Sequence, residues 1–228
     1  MTSENTLLTD LKPTRAEIAR LSAEGQALTL VNGDLEGLDL SDFDLTGWCF
    51  DRCNLRRVSF NRAVLEGASF NGCRAADTSF VGAEMLEGTV DGGDFSNASF
   101  RGARLTDVRI LRCKMTGADL TDAQAIGLSL EEVLLVLAVL PKLSFRKATL
   151  KQVDFSEADL RACDFRDAVF EECSLRDAHL ADCRFENADL RGADLGGVKL
   201  TDARRFKGAI ISRRQAADLL GQLGLRVL

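Results

Sequence analysis

A five-residue period runs through most of this chain and constrains its fold more than any other feature. Every position that is a multiple of five from Leu30 to Leu200 carries an apolar residue, usually Leu or Phe. The residue two places earlier is mostly small or slim, such as Ala, Val, Gly or Cys. This period matches neither the turn of an α-helix nor the alternation of a flat strand. It is typical of a solenoid, in which each coil buries its apolar residues only against its neighbours.

The repeat unit also resembles that of a known family. Ala-Asp-Leu recurs at 118–120, 158–160, 188–190 and 193–195, which is similar to the A-(D/N)-L-X-X motif of the pentapeptide repeat proteins. The resemblance covers about residues 28–206. It implies an all-β solenoid, a right-handed quadrilateral parallel β-helix with four pentapeptides in each coil. About nine coils, stacked at about 4.8 Å per coil, would give a rod roughly 42 Å long.

Short capping helices are predicted at both ends of this rod. Residues 1–12 lack the period, so we expect a flexible tail there. Thr14 and Glu17 then form a capping box that opens a short helix, and Ser212 and Gln215 form another near the C-terminus. The chain therefore divides into a tail and capping helix (1–27), a β-helix (28–206) and a C-terminal capping or dimerisation helix (207–228).

Residues 126–145 admit two interpretations. One is an inserted α-helix, with Ser129 as its N-cap and Pro141 as its end. The other is one more coil, which we favour because all eight inward positions are apolar and the register is the same on both sides. The coil would leave a patch of outward apolar side chains that a partner or a covering segment is expected to bury. These are Leu134, Val136, Leu137 and Val139.

The composition argues against catalysis and against a metal or cofactor site. Six of the seven cysteines fall on the small inward position, where a thiol packs as a small apolar group. The chain has no CxxC motif, a single histidine and no tyrosine, and nothing resembles a nucleophile motif or a phosphate-binding loop. We therefore expect a non-enzymatic protein without cofactors or metals.

Charge and hydropathy limit the cellular location of the protein and the class of its partners. The formal net charge of −6 argues against direct binding of nucleic acid through its phosphates. The N-terminus does not resemble a signal peptide, and the longest apolar run is too short to span a bilayer. These features predict a soluble cytoplasmic protein whose partner is another protein.

Two stretches, 128–145 and 208–225, are similar to parts of the MfpA/Qnr-like group of pentapeptide repeat proteins. That resemblance implies a homodimer joined at its C-terminal ends. It also implies a DNA mimic that binds DNA gyrase or topoisomerase IV, inhibits or protects it, and confers quinolone (antibiotic) resistance. The corresponding candidate dimer contact is Ile210, Leu219, Leu220 and Leu223, and the C-terminal helix can equally be a lid. The candidate acidic partner face is Asp51, Asp91, Glu131, Glu132, Glu171 and Glu172.

The magnitude of the charge limits this hypothesis. Duplex DNA carries about one charge per 1.7 Å, so a rod of roughly 42 Å would need about 25 negative charges to match it. The chain has a net charge of −6, and basic residues interrupt the acidic face at Arg52, Arg112, Lys151 and Arg191. The alternative hypothesis is a protein–protein interaction scaffold with an unrelated partner, which would dock on the apolar patch at residues 134–139.

Overall fold

A computed structural model describes residues 6–198, 203–222 and 224–226. The chain winds into a right-handed parallel β-solenoid of about nine coils with two short helices, which confirms the fold predicted from the period. The strands pair in a constant register, in which Leu30 lies beside Phe50 and Phe50 beside Phe70. Four pentapeptides therefore complete one coil.

One parallel sheet follows the length of the rod, and its outer surface is called the sheet face below. A second, two-stranded sheet and a series of isolated bridges join the coils on the other sides. The long sheet contains β1 (Thr6–Thr9), β2 (Leu28–Val31), β3 (Cys49–Asp51), β4 (Ser69–Arg74), β5 (Thr89–Asp94), β6 (Arg109–Leu111), β7 (Ser129–Glu131), β8 (Thr149–Lys151) and β9 (Val169–Glu171), and the short one contains β10 (Cys173–Ser174) and β11 (Ala193–Asp194).

Stacked Leu and Phe side chains fill the inside of the coils. Phe80 is fully buried, and its ring centroid lies 5.1 Å from that of Phe60 and 4.8 Å from that of Phe100. These distances match the spacing of paired strands, so rings of neighbouring coils lie face to face. Most of the inward Ala side chains and all six inward Cys side chains are buried as well. The narrow coil therefore closes around a continuous apolar column.

The Gly and polar residues of each repeat form the corners between the sides of a coil. Every fifth residue from Asn32 to Asn187 has a positive φ, which Gly, Asn and Asp adopt most readily. The Asp that precedes the apolar residue bonds to the following corner: the backbone N–H of Thr121 donates to Asp119 at 2.9 Å. The recurring aspartates are turn formers, as their position in the repeat predicts.

The segment at 126–145 is a coil and not a helix, as we favoured. β7 (Ser129–Glu131) continues the long sheet, and Leu134 bridges Lys114 on one side and Asp154 on the other. The same register of four pentapeptides per coil carries the backbone through this segment without a break.

The N-terminal end differs from the prediction in one respect. Residues 6–9 do not form an unstructured tail, because β1 pairs in parallel with β2 and extends the long sheet by one strand. The predicted helix α1 (Arg15–Ala23) follows, with the Thr14–Glu17 capping box in place and Ile18 buried against the first coil. The free edge of β2 in the first coil provides the hydrogen-bond partners for residues 6–9, and the five-residue period does not indicate this pairing.

The C-terminal end closes the rod after a shift of register. Asp189 bridges Ile210, which lies one position beyond the partner that the register of the other coils would give. A 3₁₀ turn (Ala203–Phe206) places the ring of Phe206 4.9 Å from that of Phe185. Helix α2 (Arg213–Gln222) then begins, and Ser212 and Gln215 bond reciprocally, side chain to backbone, as the capping box predicts.

Candidate functional site

The four outward apolar residues of the sixth coil lie together on the surface. Leu134, Val136, Leu137 and Val139, here called the apolar band, follow one another around a corner of the rod. Leu134 is 46% exposed and Leu137 56% exposed, while the two valines are half-buried. No covering segment is present among the residues that the structure describes. The band is therefore open to a partner.

Polar residues border the apolar band on both neighbouring coils. Leu134 lies between Lys114 and Asp154, and Val139 lies between Asp119 and Asp159. The backbone is satisfied across the band, since the N–H of Gly117 donates to Val136 at 2.9 Å and that of Leu137 to Ser156 at 3.1 Å. Because the backbone is hydrogen-bonded to the neighbouring coils at these points, the band offers a partner only its apolar side chains. Such a surface suits a partner that offers apolar side chains and polar groups around them.

Leu137 occupies a corner that does not favour leucine. Its φ is +59°, in the left-handed region where most corners of the rod carry glycine or a polar residue. This conformation costs a residue with a Cβ about 1 kcal/mol or more relative to glycine. With more than half of its side chain exposed, Leu137 returns little of this by burial. Leucine at this corner therefore contributes little to the stability of the fold.

The six acidic residues of the candidate partner face do share one side of the rod. Asp51, Asp91, Glu131 and Glu171 lie on the same ladder of the sheet face, two coils apart. Glu132 and Glu172 each follow at the adjoining corner. Sequence spacing predicted this alignment, because a coil of four pentapeptides brings such positions together.

Ion pairs neutralise much of this acidic face. Asp51 pairs with Arg52 at 3.0 Å, Asp91 pairs with Arg112, and Glu131 pairs with Lys151 at 2.6 Å. The hydrogen bond from Lys151 and its positive charge lower the pKa of Glu131. Glu172 accepts a hydrogen bond from the side chain of Gln152 at 2.9 Å. Half of the six carboxylates are therefore ion-paired, and the face is not a continuous row of free carboxylates like the phosphates of DNA.

Aspartate–arginine pairs within one repeat recur on the rest of the surface. In three repeats, the guanidinium of an Arg two residues after the Asp donates hydrogen bonds to the carboxylate of that Asp. In one of them, Nη2 of Arg161 lies 2.6 Å from Oδ2 of Asp159. The hydrogen bonds from these arginines lower the pKa of the carboxyl group in each case. The pairs are Asp159–Arg161, Asp164–Arg166 and Asp189–Arg191.

Acid is expected to destabilise the rod within a defined range of pH. A lowered pKa means that these carboxylates stabilise the fold above the ordinary Asp pKa of about 4, and that this contribution is lost as the pH falls through the lower folded-state values. We expect the free energy of unfolding to be level from pH 7 to about 5 and to fall below about pH 4. Urea denaturation followed by circular dichroism measures this. Unchanged stability down to about pH 2 would contradict it.

The cysteines are structural. Six are buried, and burial is the main cause that raises the pKa of the Cys113 and Cys183 thiols to about 12. Cys53 and Cys73 lie in adjacent coils, and their thiols donate to the backbone oxygens of Leu30 and Phe50. Among the described residues no group of three His, Cys, Asp or Glu side chains is placed to hold a metal ion. None of the helices that the structure describes is both long and apolar enough to cross a membrane.

The candidate dimer residues have different surroundings. Leu219 is only 7% exposed and lines an apolar cavity of about 130 Å³ with Leu190 and Leu195, so it belongs to a lid over the last coil. Ile210 and Leu220 are exposed, at 48% and 38%. Leu223 lies outside the described residues. Only part of the predicted contact is therefore available to a second molecule.

Helix α2 closes the last coil through Gln215. Its side-chain amide donates to the carbonyl oxygens of Leu190 and Ala193, both at 2.7 Å, and so satisfies a strand edge that would otherwise be open. Beside the helix lies a cleft of about 630 Å³, which the sequence did not suggest. Its charged lining is balanced, with three basic and three acidic side chains: Arg176, Arg191, Arg214, Glu172, Asp194 and Asp218.

Comparisons with known proteins agree with this architecture. A family model described as "Pentapeptide repeat region" matches residues 129–209, and one described as "Pentapeptide repeats (8 copies)" matches residues 49–85 and 91–122. No curated protein sequence matches significantly. Among solved structures, the chain is similar to a trypsin-treated variant of QnrB1, described as a plasmid-mediated fluoroquinolone resistance protein. The TM-score is 0.56 and the identity 22%, and 98% of each chain is covered.

A second solved structure is similar over a shorter length. It is HetL from the cyanobacterium Nostoc sp. strain PCC 7120, a pentapeptide repeat protein involved in the regulation of heterocyst differentiation. The identity is 21%, the TM-score is 0.45, and the match covers 82% of this chain and 86% of HetL. At 22% identity, the likeness to QnrB1 concerns the fold alone.

Proposed function

This chain belongs to the pentapeptide repeat family, and from that premise we propose that it is a non-enzymatic rod that binds a protein partner through its outer surface. The apolar band carries the proposal. It is a contiguous apolar surface on a rod whose other outward residues are mostly polar. Exposed apolar patches with a polar border commonly mark protein–protein contacts.

Substitution of the apolar band should weaken binding and leave the fold intact. We expect the double variant Leu134→Ser, Leu137→Asn to bind its partner at least tenfold more weakly, a loss of about 1.4 kcal/mol. Because asparagine suits a left-handed corner, we expect Leu137→Asn alone to keep the free energy of unfolding within about 1 kcal/mol of the parent or to raise it. Urea denaturation measures the stability.

Lys142→Asn provides the matched control. Lys142 lies at the next corner of the same coil, with a φ of +64°, and is not part of the apolar band. The control gains the same favourable corner residue and should bind as the parent does. Equal binding by the parent and by the double variant would refute a role for the band.

The first partner to test is a type II topoisomerase, DNA gyrase or topoisomerase IV. This choice is supported by the similarity of residues 128–145 and 208–225 to the MfpA/Qnr-like group, and by the similarity of fold over 98% of the trypsin-treated QnrB1 chain. With much of the acidic face paired, recognition would depend on the shape of the rod and on the apolar band more than on charge.

Gyrase supercoiling and quinolone-stabilised DNA cleavage test this partner directly. We expect the purified protein, at micromolar concentration, to inhibit supercoiling or to reduce quinolone-stabilised cleavage. The Leu134→Ser, Leu137→Asn variant should lose this effect and Lys142→Asn should retain it. Absence of any effect on gyrase and on topoisomerase IV would exclude this partner and leave a scaffold for an unrelated protein.

A further inference from the structure

The long sheet has an open edge at the N-terminal end of the rod. β1 (Thr6–Thr9) is the outermost strand there, and it pairs with β2 on one side. Among the strands and bridges that the structure describes, none lies along its other side. A strand at such an edge leaves backbone N–H and C=O groups unpaired, and these groups are a template for a further strand.

The alternation of the backbone identifies which groups of β1 face outward. The N–H of Asp10 donates to the carbonyl oxygen of Val31 at 2.9 Å and therefore points towards β2. Successive residues of a strand point their N–H and C=O groups to opposite sides. Leu8 therefore also faces β2, whereas Leu7 and Thr9 face away from it. Each of these two residues offers one donor and one acceptor on the open edge.

The side chains of β1 make this edge apolar and leave it unprotected. Residues 6–9 contain no charged residue and no proline, the two residue types that commonly prevent strands from pairing at an edge. Leu7 is 60% exposed. Leu8 points to the other face of the strand, where it lines a hollow of about 210 Å³ together with Leu11 and Leu21. An added strand would place every second side chain beside this hollow, so an apolar residue is favoured there.

The charges at this end are balanced. Residues 6–27 contain three acidic and three basic side chains, namely Asp10, Glu17, Glu24, Lys12, Arg15 and Arg20. Three acidic residues of the first coil are ion-paired as well: Asp34 with Lys12, Glu36 with Arg57 and Asp42 with Arg62. Two copies of this end can therefore approach each other without a large electrostatic repulsion.

We propose that β1 pairs in antiparallel orientation with β1 of a second copy, so that two rods join at their N-terminal ends across a two-fold axis. The strand fits its own inverse. When Leu8 lies opposite Leu8 of the second copy, Leu7 lies opposite Thr9 and Thr9 opposite Leu7. Each of these two pairs exchanges two backbone hydrogen bonds, and the outward donors and acceptors of both copies are satisfied.

The same contact buries apolar surface of both molecules. The two Leu8 side chains would meet at the axis, beside the hollow of each copy, and an apolar residue is what an added strand needs at this position. The contact uses the same surface twice and closes on itself, so it ends at a dimer. The long sheet would then continue from one rod into the other.

Sedimentation velocity of the full chain at increasing concentration tests the self-association. We expect the average mass to rise to that of a dimer and to stay there. We expect the same result in low and in high salt, because the contact consists of backbone hydrogen bonds and apolar side chains and not of charge pairs. A monomer at every concentration into the high micromolar range would overturn the proposal.

Proline at position 9 tests the open edge itself. Thr9→Pro removes an N–H group that faces away from β2, which is where a sheet tolerates proline. We expect the dissociation constant of the dimer to rise at least tenfold and the urea unfolding of the monomer to stay the same. Thr9→Val keeps the N–H group and should dimerise as the parent does. Equal dimerisation by Thr9→Pro and the parent would place the contact elsewhere and refute the pairing of β1.

A cysteine at position 8 tests the register. Residues directly opposite each other in an antiparallel pair have Cβ atoms about 4.5–5.5 Å apart, so Leu8→Cys should form a disulfide between two chains in oxidised glutathione. Thr9→Cys is the control, because in this register Thr9 lies opposite Leu7 and not opposite its own counterpart. The parent shows the background from its own cysteines. No cross-link through Leu8→Cys, or an equal one through Thr9→Cys, would refute the two-fold pairing.

Discussion

Gly93→Ala is expected to reduce the free energy of unfolding by at least about 3 kcal/mol, because the native backbone at this position excludes a side chain. The φ of Gly93 is +102°, outside the region that residues with a Cβ readily adopt. A Cβ built here would lie 2.3 Å from the backbone oxygen of Cys73 and 2.8 Å from its nitrogen. Cys73 is paired with Gly93 in the neighbouring coil, so relief of the clash would require two strands to separate.

The adjacent glycine is the natural control. Gly92 has a φ of +71°, and the nearest atoms to a Cβ there are the backbone atoms of Gly72 at 3.8 Å, an ordinary contact distance. We expect Gly92→Ala to cost only about 1 kcal/mol, the usual difference between alanine and glycine at a left-handed corner. Urea denaturation of the two variants measures the difference. Equal stability would show that the clash at Gly93 is relieved by a local shift.

Phe80→Ala should have an effect of similar size for a different reason. Phe80 is fully buried, and its ring stacks between those of Phe60 and Phe100. Truncation would remove contacts in both directions along the column and leave a cavity that the rigid coils on either side cannot fill. We expect a loss of about 3–5 kcal/mol in the free energy of unfolding.

Phe80→Leu is the matched control for this prediction. Leucine already occupies the same inward column at Leu40 and Leu120, so the side chain suits the coil. We expect this variant to lose no more than about 1.5 kcal/mol. A Phe80→Ala variant as stable as Phe80→Leu would contradict the view that the stacked rings stabilise the rod.

Hydrogen exchange would show how far the damage extends. In a solenoid each coil contacts only its neighbours, so the effect of Phe80→Ala is expected to be largest in residues 48–107 and to decline towards both ends. Uniform loss of protection along the rod would indicate that the whole chain unfolds as one unit.

The candidate site was predictable where it depends on the period. The outward direction of Leu134, Val136, Leu137 and Val139 follows from their positions in the repeat, as does the shared side of Asp91 and Glu131. Sequence alone could not give the pairing of Asp91 with Arg112 or of Glu131 with Lys151, which neutralises that side. Those pairs depend on the rotamers that long side chains adopt between neighbouring coils.

The sequence by itself determined the solenoid, the inward column and the corners, because a strict period of five permits only one way of burying an apolar residue in every repeat. The tertiary structure alone decided what happens at the two ends. Residues 6–9 became a strand only because the open edge of β2 was there to pair with. Leu219 became buried, and Leu220 stayed exposed, when α2 packed on the last coil. At the ends no period applies, so the contacts of each residue depend on the shape of the surface it meets.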